Sequence, residues 1–363
     1  MTILHRYITG QFLRTFGLCL AGFVFLFLVF DFMDRIDNIL TEDVSVFTVL
    51  QYFLYKIPLT LTLMLPVACL VSTLLTFGLL SKNSEITAMR GAGVRVLWLA
   101  KPVLIAGGVI SLLALLMNET LVPFSQQRVK EIYNIDIKQK DTRGSYSGSN
   151  LWWREGRDFY SVDFFDSRTK SFLGLVQLHL DKNFRLDQRI DASTVKFLNK
   201  ELGWSMENGT EYGFRDETSP SQTHFSRLPL PISKRPTDLF DYSTDPETMS
   251  FSRIRKFIRE QKANGLPVRR YLADMHEKIS FPFINFVVIL VSLPFSLKPA
   301  RSGSMAGSFM AGMLLGFTYY VVHSFSVAMG RAEMYPPMLS AWMADILLCT
   351  MGIILNLGAE SPH

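Results

Sequence analysis

The sequence predicts an α-helical membrane protein with six transmembrane helices, three before and three after an inserted β-domain. The 363 residues are 48% hydrophobic and only 19% charged, whereas about a quarter of the residues of a soluble domain are charged. Six apolar runs are also long enough to cross a bilayer, which takes about 20 residues for each helix. This composition disfavours a soluble enzyme and excludes a disordered chain.

The apolar runs fall into two groups separated by a polar segment. The first group spans 12–33, 57–80 and 102–118, and the second spans 279–297, 304–330 and 335–357. Run 12–33 exceeds the apolar region of a signal peptide, and no small-residue cleavage site follows it, so we expect it to stay as an anchor. The predicted parts are therefore 1–124 with three helices, the polar insert 125–278, and 279–363 with three helices.

Lysine and arginine in the short loops predict the orientation of the chain. Loop 81–101 has four basic residues and one acidic residue, and loop 298–303 has two basic residues and none acidic. Loop 31–56 instead has five acidic residues against Arg35 and Lys56. We therefore expect both termini in the cytoplasm and the insert 125–278 on the outer side of the membrane.

The polar insert has the alternation that is typical of β-strands. Segments 159–164 and 173–180 alternate apolar and polar residues, which predicts half-buried strands. Asn208 and Gly209 predict a two-residue hairpin turn. Seven or eight short strands fit the insert, so a β-sandwich or jelly-roll is the expected fold. After it, Ser250 is expected to cap a helix that ends at Gly265.

No motif in the sequence predicts an enzyme. The chain has no GxxxxGK[ST] phosphate-binding loop and no GxGxxG, HExxH or GxSxG motif. Its six histidines are scattered, and its three cysteines lie in apolar stretches. We therefore expect no catalytic residue, metal or cofactor in this chain, and its small net charge of +5 does not indicate nucleic acid. Transport and scaffolding remain as function classes.

Segment 84–93, within loop 81–101, predicts a short amphipathic helix. Ser84 or Asn83 can cap its start, and Gly91 or Gly93 can end it. Such a helix can dock into a groove of a partner protein. Its candidate contact residues are Ser84, Glu85, Ile86, Met89 and Arg90. The alternative is an interfacial connector whose arginines meet lipid headgroups.

Several side chains near the predicted spans are candidates for a transport role. Asp345 lies inside run 335–357, where it either packs against a neighbouring hydroxyl or couples transport to a proton or substrate. Gly307, Gly312 and Gly316 permit close helix approach, through ordinary packing or through sliding against a partner. The aromatic residues that could line an acyl-chain cavity are Phe23, Phe27, Phe30, Phe317 and Tyr320. Residues that simply face lipid would give the same pattern.

Arg128 and Lys130 follow the third predicted span. They could bind a phosphate group through charge-assisted hydrogen bonds, or they could anchor the end of a helix at the membrane surface.

These features together resemble the LptF/LptG family, the lipopolysaccharide-export permeases of Gram-negative bacteria. The resemblance covers nearly the whole chain, and SEITAMRGAG at 84–93 is its most specific motif. Further matching segments are LWWREGRDF at the start of the β-domain, the helical stretch from IRKFIREQKANG to HEKISFP, and YPPMLSAWMADI. The LWWREGRDF segment and the helix before the fourth span favour the LptG-type branch.

The resemblance implies an inner-membrane permease subunit that extracts lipopolysaccharide. It implies a heterodimer of LptF-type and LptG-type chains on a dimeric LptB-type ATPase. ATP and Mg²⁺ would be used by this ATPase and not by the present chain. The periplasmic jelly-rolls would pass lipopolysaccharide to LptC and then LptA. The coupling helix of the family corresponds by position to Ser84, Glu85, Ile86, Met89 and Arg90. Its lateral gate corresponds to the first and fifth spans.

One feature departs from the family. Its members often have lysines near the outer end of the first span for lipid phosphates, whereas here Asp31, Asp34 and Asp37 surround Arg35. Phosphate contact at this position therefore depends on Arg35 alone, or on Arg128 and Lys130 in its place.

Two alternatives to an ATP-driven exporter stay open at this point. An ion-coupled secondary transporter would depend on Asp345, so that Asp345→Asn would abolish its activity. A non-transporting envelope scaffold would function normally without an ATPase partner, which co-purification would show.

Overall fold

The computed structural model describes residues 3–41, 45–133, 151–166, 171–199, 203–214, 221–230, 232, 249–263, 265–296 and 305–360. The chain divides into two compact units. One combines Met1–Gln139, Ser250–Ile258 and Pro267–His363, and the other combines Lys140–Met249 and Arg259–Leu266. The first unit holds the membrane-type helices and the second holds the strands.

Nine helices lie in the described ranges. In chain order they are α1 (Ile3–Thr41), α2 (Val46–Lys82), α3 (Glu85–Gly91), α4 (Val96–Glu119), α5 (Leu121–Glu131), α6 (Phe251–Ala263), α7 (Arg269–Ser296), α8 (Met305–Arg331) and α9 (Pro337–Glu360). Among them α1, α2, α4, α7, α8 and α9 are long and apolar enough to cross a membrane. These six coincide with the six predicted apolar runs, and α7 also contains the predicted helical stretch 268–278 in one continuous helix.

The helical unit is built around α7. This helix packs against α2, α4, α8 and α9, and residues in its middle such as Ile284, Val287 and Ile289 are fully buried. Helix α1 packs against α2 and α4, while Phe25 and Phe30 on its surface remain exposed. The chain therefore leaves a large apolar surface on α1, as expected for a helix that meets lipid or another subunit.

Glycines set the distance between α8 and α2. A Cβ atom at Gly316 would lie 2.5 Å from Cδ2 of Leu70, and one at Gly312 would lie 2.7 Å from Cδ1 of Leu74. Because small residues let helix backbones approach closely, these two glycines serve the packing of α8 on α2. At Gly307 the same position is open.

The strands form one antiparallel sheet in which each strand pairs with its neighbour in sequence. They are β1 (Leu151–Glu155), β2 (Asp158–Asp166), β3 (Ser171–Leu180), β4 (Leu186–Asn199), β5 (Gly203–Gly213) and β6 (Ser221–Leu230). The predicted strands 159–164 and 173–180 lie in β2 and β3. Six strands lie in the described part, so the seventh or eighth strand and the jelly-roll closure stay predictions.

A row of aromatic rings forms the centre of the sheet's buried side. Trp153, Tyr160, Phe172 and Trp204 are almost completely buried. The rings of Phe172 and Trp204 stack with centroids 4.4 Å apart, and those of Trp153 and Tyr160 stack at 5.0 Å. Stacked aromatic rings contribute strongly to burial in a core, so one face of the sheet is apolar.

The predicted hairpin at Asn208 and Gly209 is wrong. Both residues lie inside β5, where Asn208 has a φ of 51° and Gly209 pairs with Ala192 of β4 and Phe225 of β6. A Cβ at Gly209 would clash with the ring of Phe225, so the glycine makes room for a cross-strand neighbour. The two-residue turn lies instead between β1 and β2, where Gly156 has a φ of 65°.

Candidate functional site

The short helix α3 connects α2 to α4. It ends at Gly91, and of the two glycines expected to end it, Gly93 has the left-handed backbone, with a φ of 83°. The N–H of Gly93 donates to the carbonyl of Arg90 at 2.9 Å, and the N–H of Val94 donates to that of Met89 at 3.1 Å. This is a Schellman ending. The predicted side-chain cap of Ser84 is absent, because Ser84 adopts a left-handed conformation with a φ of 61° rather than the extended one of a capping residue.

One side of α3 is fixed on the bundle and the other is open. Ile86 is only 3% exposed and lies in the same apolar cluster as Leu80 and Leu99, with Met89 packed against this cluster. Arg90 is exposed. Ile86 and Met89 therefore hold the helix in place, and the polar side is the part that a partner could reach.

The N-terminal turns of α1 contact this segment. The hydroxyl of Tyr7 donates to Oε2 of Glu85 at 3.1 Å, and Nδ2 of Asn83 donates to Oε1 of the same carboxylate at 3.4 Å. The ring of His5 lies 3.9 Å from the ring of Trp98 at the start of α4. Sequence reasoning did not link α1 to α3, because residues so far apart in sequence give no local pattern.

A group of charged and aromatic side chains lies near the C-terminal end of α1. Oδ1 of Asp31 is 2.5 Å from Nζ of Lys56 in α2 and 3.2 Å from Nε of Arg35. The guanidinium of Arg35 lies 4.3 Å from the ring centroid of Tyr133 and 5.5 Å from that of Tyr52. We call these five residues the Asp31 cluster. Arg35 is therefore paired with a carboxylate, and Lys56 is a second cation at the same carboxylate, which no local sequence pattern indicates.

The predicted residues Arg128 and Lys130 lie in the last turn of α5. Arg128 is exposed and Lys130 is half-buried, and both interact with other residues of the chain. Between them Val129 is buried against Tyr52. The helix that carries Arg128 and Lys130 therefore adjoins the Asp31 cluster.

The predicted cavity aromatics lie on α1 and α8, which both pack against α2. Phe23 and Phe27 are half-buried, and Phe30 is exposed. On α8, Phe317 is exposed and Tyr320 packs against the apolar core. Their role in lining a lipid cavity stays a prediction.

Asp345 is buried in α9 and bonded to a hydroxyl. The hydroxyl of Tyr319 in α8 donates to Oδ1 of Asp345 at 3.1 Å and lies 3.3 Å from Nδ1 of His323. A bond to a neighbouring hydroxyl is what the packing interpretation of Asp345 requires.

An ion-pair group ties α8 to α7 close to His323. Nε2 of His323 lies 3.7 Å from Oε1 of Glu277. Arg331 donates from Nε to Oδ1 of Asp274 at 2.6 Å and from Nη2 to Oε2 of Glu277 at 2.9 Å. Sequence reasoning missed these residues; the spacing of Asp274 and Glu277, which places both on one helix face, was the available signal.

Glu119 joins the end of α4 to the start of α6. Its carboxylate accepts the backbone N–H of Phe251 at 2.8 Å and that of Ser252 at 3.3 Å. Ser250 also caps α6 as predicted, since its Oγ accepts the N–H of Arg253 at 3.3 Å. Acidic groups stabilise helix N-termini, so Glu119 fixes the helix that leads from the β-domain back to α7. In the described part of the chain, no cluster of metal-binding side chains occurs.

Comparison with known proteins gives a consistent family. The profile of the lipopolysaccharide export system permeases LptF/LptG matches residues 6–357. The chain is 24% identical to LptG of Escherichia coli K12, covering 98% of both chains, and 21% identical to LptG of Haemophilus influenzae, covering 96% of both. It is 22% identical to LptF of Escherichia coli K12, covering 99% of this chain and 96% of the relative. The chain therefore belongs to the LptF/LptG family and is a multi-pass inner-membrane permease subunit of lipopolysaccharide export.

Proposed function

We propose that this chain is the LptG-type half of an LptF–LptG heterodimer and that a separate LptB-type ATPase drives it through α3. In this proposal both termini and α3 lie in the cytoplasm, and segment 125–278 lies in the periplasm. The observation that carries the proposal is how α3 packs against the other helices. Buried Ile86 fixes the apolar side of α3 on the helical unit while Arg90 remains exposed, so the polar side of this helix is the part left for a partner.

ATP and Mg²⁺ belong to the ATPase in this account. The chain has no phosphate-binding loop, so its own part is to convert a push on α3 into movement of membrane helices. The two states of the permease must differ in their affinity for lipopolysaccharide if transport is to be directional.

The lipid would enter beside α1 and α8. Both helices pack against α2 and expose aromatic residues such as Phe30 and Phe317, which suit acyl chains. The Asp31 cluster brings the cations Arg35 and Lys56 together at one carboxylate, and either cation could donate a charge-assisted hydrogen bond to a lipid phosphate. Arg128 and Lys130 on neighbouring α5 would add to these cations.

The β-domain would receive the lipid and hand it to LptC and LptA. Trp153, Phe172 and Trp204 pack together as the core of this domain, and the support for a contact with another protein is the outer strands of the sheet. Strands at the edge of a sheet can pair with a strand of another protein, and β1 and β6 are the outermost strands in the described part of this sheet.

Glu85→Lys tests the proposal. The substitution inverts the charge at the start of α3 and removes the carboxylate that accepts hydrogen bonds from Tyr7 and Asn83, so we expect lipopolysaccharide transfer per ATP hydrolysed to fall about tenfold or more. The measurement uses vesicles that contain the complete transporter with its ATPase.

Glu333→Lys is the matched control, because Glu333 is exposed in the connection between α8 and α9. This control should transfer lipid at the normal ratio. Normal transfer by Glu85→Lys would refute the proposed role of α3.

A further inference from the structure

The hydrogen bond between Tyr7 and Glu85 connects the longest membrane helix to α3. The Tyr7 hydroxyl donates to Oε2 at 3.1 Å while Asn83 donates to Oε1. A hydrogen bond to a carboxylate is stronger than one between neutral groups. Any force that moves the Glu85 carboxylate therefore acts directly on α1.

Two further contacts make this connection a packed one. The rings of His5 and Trp98 lie 3.9 Å apart, and Ile8 and Phe12 are buried in the same apolar cluster as Ile86. The first turns of α1 thus contact α3 and the start of α4 through polar, aromatic and apolar side chains. Because packed side chains transmit displacement rather than absorb it, this end of α1 follows α3.

Helix α1 is also the helix best suited to carry such a displacement across the membrane. It is continuous over 39 residues, which corresponds to about 58 Å at the rise of an α-helix, and it contains no proline. Helix α2 contains Pro58 and Pro66, and α4 contains Pro102. Proline inside a helix removes a backbone hydrogen bond and permits bending, so α2 and α4 are less stiff.

We infer that Tyr7 is a positioning residue, which transmits the displacement of α3 to α1 by holding the Glu85 carboxylate. The inference rests on the proposed function, since it assumes that an ATPase acts on α3. It adds that the Tyr7 hydroxyl, rather than the aromatic ring, is required.

Tyr7→Phe tests this role because it removes only the hydroxyl. The full transporter with its ATPase is reconstituted in vesicles, and the readout is lipopolysaccharide released per ATP hydrolysed. We expect this ratio to fall about threefold or more, in line with the net contribution of one solvent-exposed hydrogen bond. Tyr335→Phe is the matched control, since Tyr335 is 42% exposed and Tyr7 is 46% exposed; this control should keep the normal ratio.

Two more variants of Glu85 show whether the role of Tyr7 fails alone or the proposed function fails with it. Glu85→Asp keeps the charge for the ATPase but shortens the side chain, so it should lower the ratio as Tyr7→Phe does. In a Glu85→Ala background, Tyr7→Phe should have no additional effect, because the two residues act through one contact. If Glu85→Ala lowers the ratio while Tyr7→Phe and Glu85→Asp do not, the role of Tyr7 is refuted and the proposed function stands. If Glu85→Ala also leaves the ratio unchanged, the proposed function fails.

Discussion

Arg331→Met is expected to destabilise the helical unit by about 2–3 kcal/mol. The substitution removes the 2.6 Å bond to the carboxylate of Asp274, which is 3% exposed, and the 2.9 Å bond to Glu277. Breaking a fully buried ion pair costs about 3–5 kcal/mol. Because the Arg331 side chain retains 29% exposure, solvent lowers the expected cost. Thermal unfolding of the purified chain in detergent measures the change.

Arg270→Met is the control for this substitution, since Arg270 is exposed in the first turn of α7. It should leave the unfolding temperature nearly unchanged. The unfolding temperature of Arg331→Lys should lie between those of Arg331→Met and Arg270→Met, because lysine keeps the charge but lacks the planar guanidinium that bonds two carboxylates at once. Equal unfolding temperatures for Arg331→Met and Arg270→Met would show that the ion-pair group does not stabilise the fold.

Gly316→Leu is the second substitution with a large expected effect. The first added carbon would already lie 2.5 Å from Cδ2 of Leu70, so α8 must move away from α2. Overpacking of this kind costs about 1–3 kcal/mol. The loss should appear as a lower unfolding temperature and, in the transporter, as slower lipid release, because α8 carries Phe317 and Tyr320 of the proposed lipid path.

Gly22→Leu on α1 is the matched control, because a Cβ at Gly22 meets no atom within 4 Å. The same change of side chain should therefore leave the isolated chain about as stable as before. If Gly316→Leu were equally harmless, the close contact between α8 and α2 would not exist in the folded protein.

The membrane helices could be predicted from the sequence because hydropathy alone defines them. A helix in lipid must be apolar over about 20 residues and satisfy its own backbone, so runs such as 57–80 and 335–357 indicate α2 and α9 without tertiary information. Helix ends with a local cause could also be predicted. Gly93, Ser250 and Gly265 each act through bonds to residues a few positions away.

Local patterns failed where cross-strand neighbours decide the conformation. Asn208 and Gly209 favour a turn by themselves, but Ala192 and Phe225 on both sides hold them in a strand. Serine is a residue type that often caps helices, yet the left-handed backbone of Ser84 prevents the cap. At Asn208 and Gly209, pairing with strands that are distant in sequence outweighs the local preference for a turn. At Ser84, the conformation of the loop outweighs the preference of serine for a capping position.

Parts of the candidate site could not be predicted for the same reason. The sequence indicated Glu85 and Arg35, but not that Tyr7 donates to Glu85 or that Asp31 pairs with both Arg35 and Lys56. The group of Asp274, Glu277 and Arg331 depends on how α7 packs against α8. Such contacts join residues far apart in sequence, and one sequence has no periodic signal for them.

If an ATPase on the inner side of the membrane pushes on α3, the two must touch in living cells. A photo-crosslinking residue placed at Thr87, which is exposed on α3, tests this in intact cells, with position 333 as the control on the opposite side. We expect Thr87 to capture a chain that hydrolyses ATP and position 333 to capture none. Labelling of Thr87→Cys by a membrane-impermeant thiol reagent added outside the cells would contradict it.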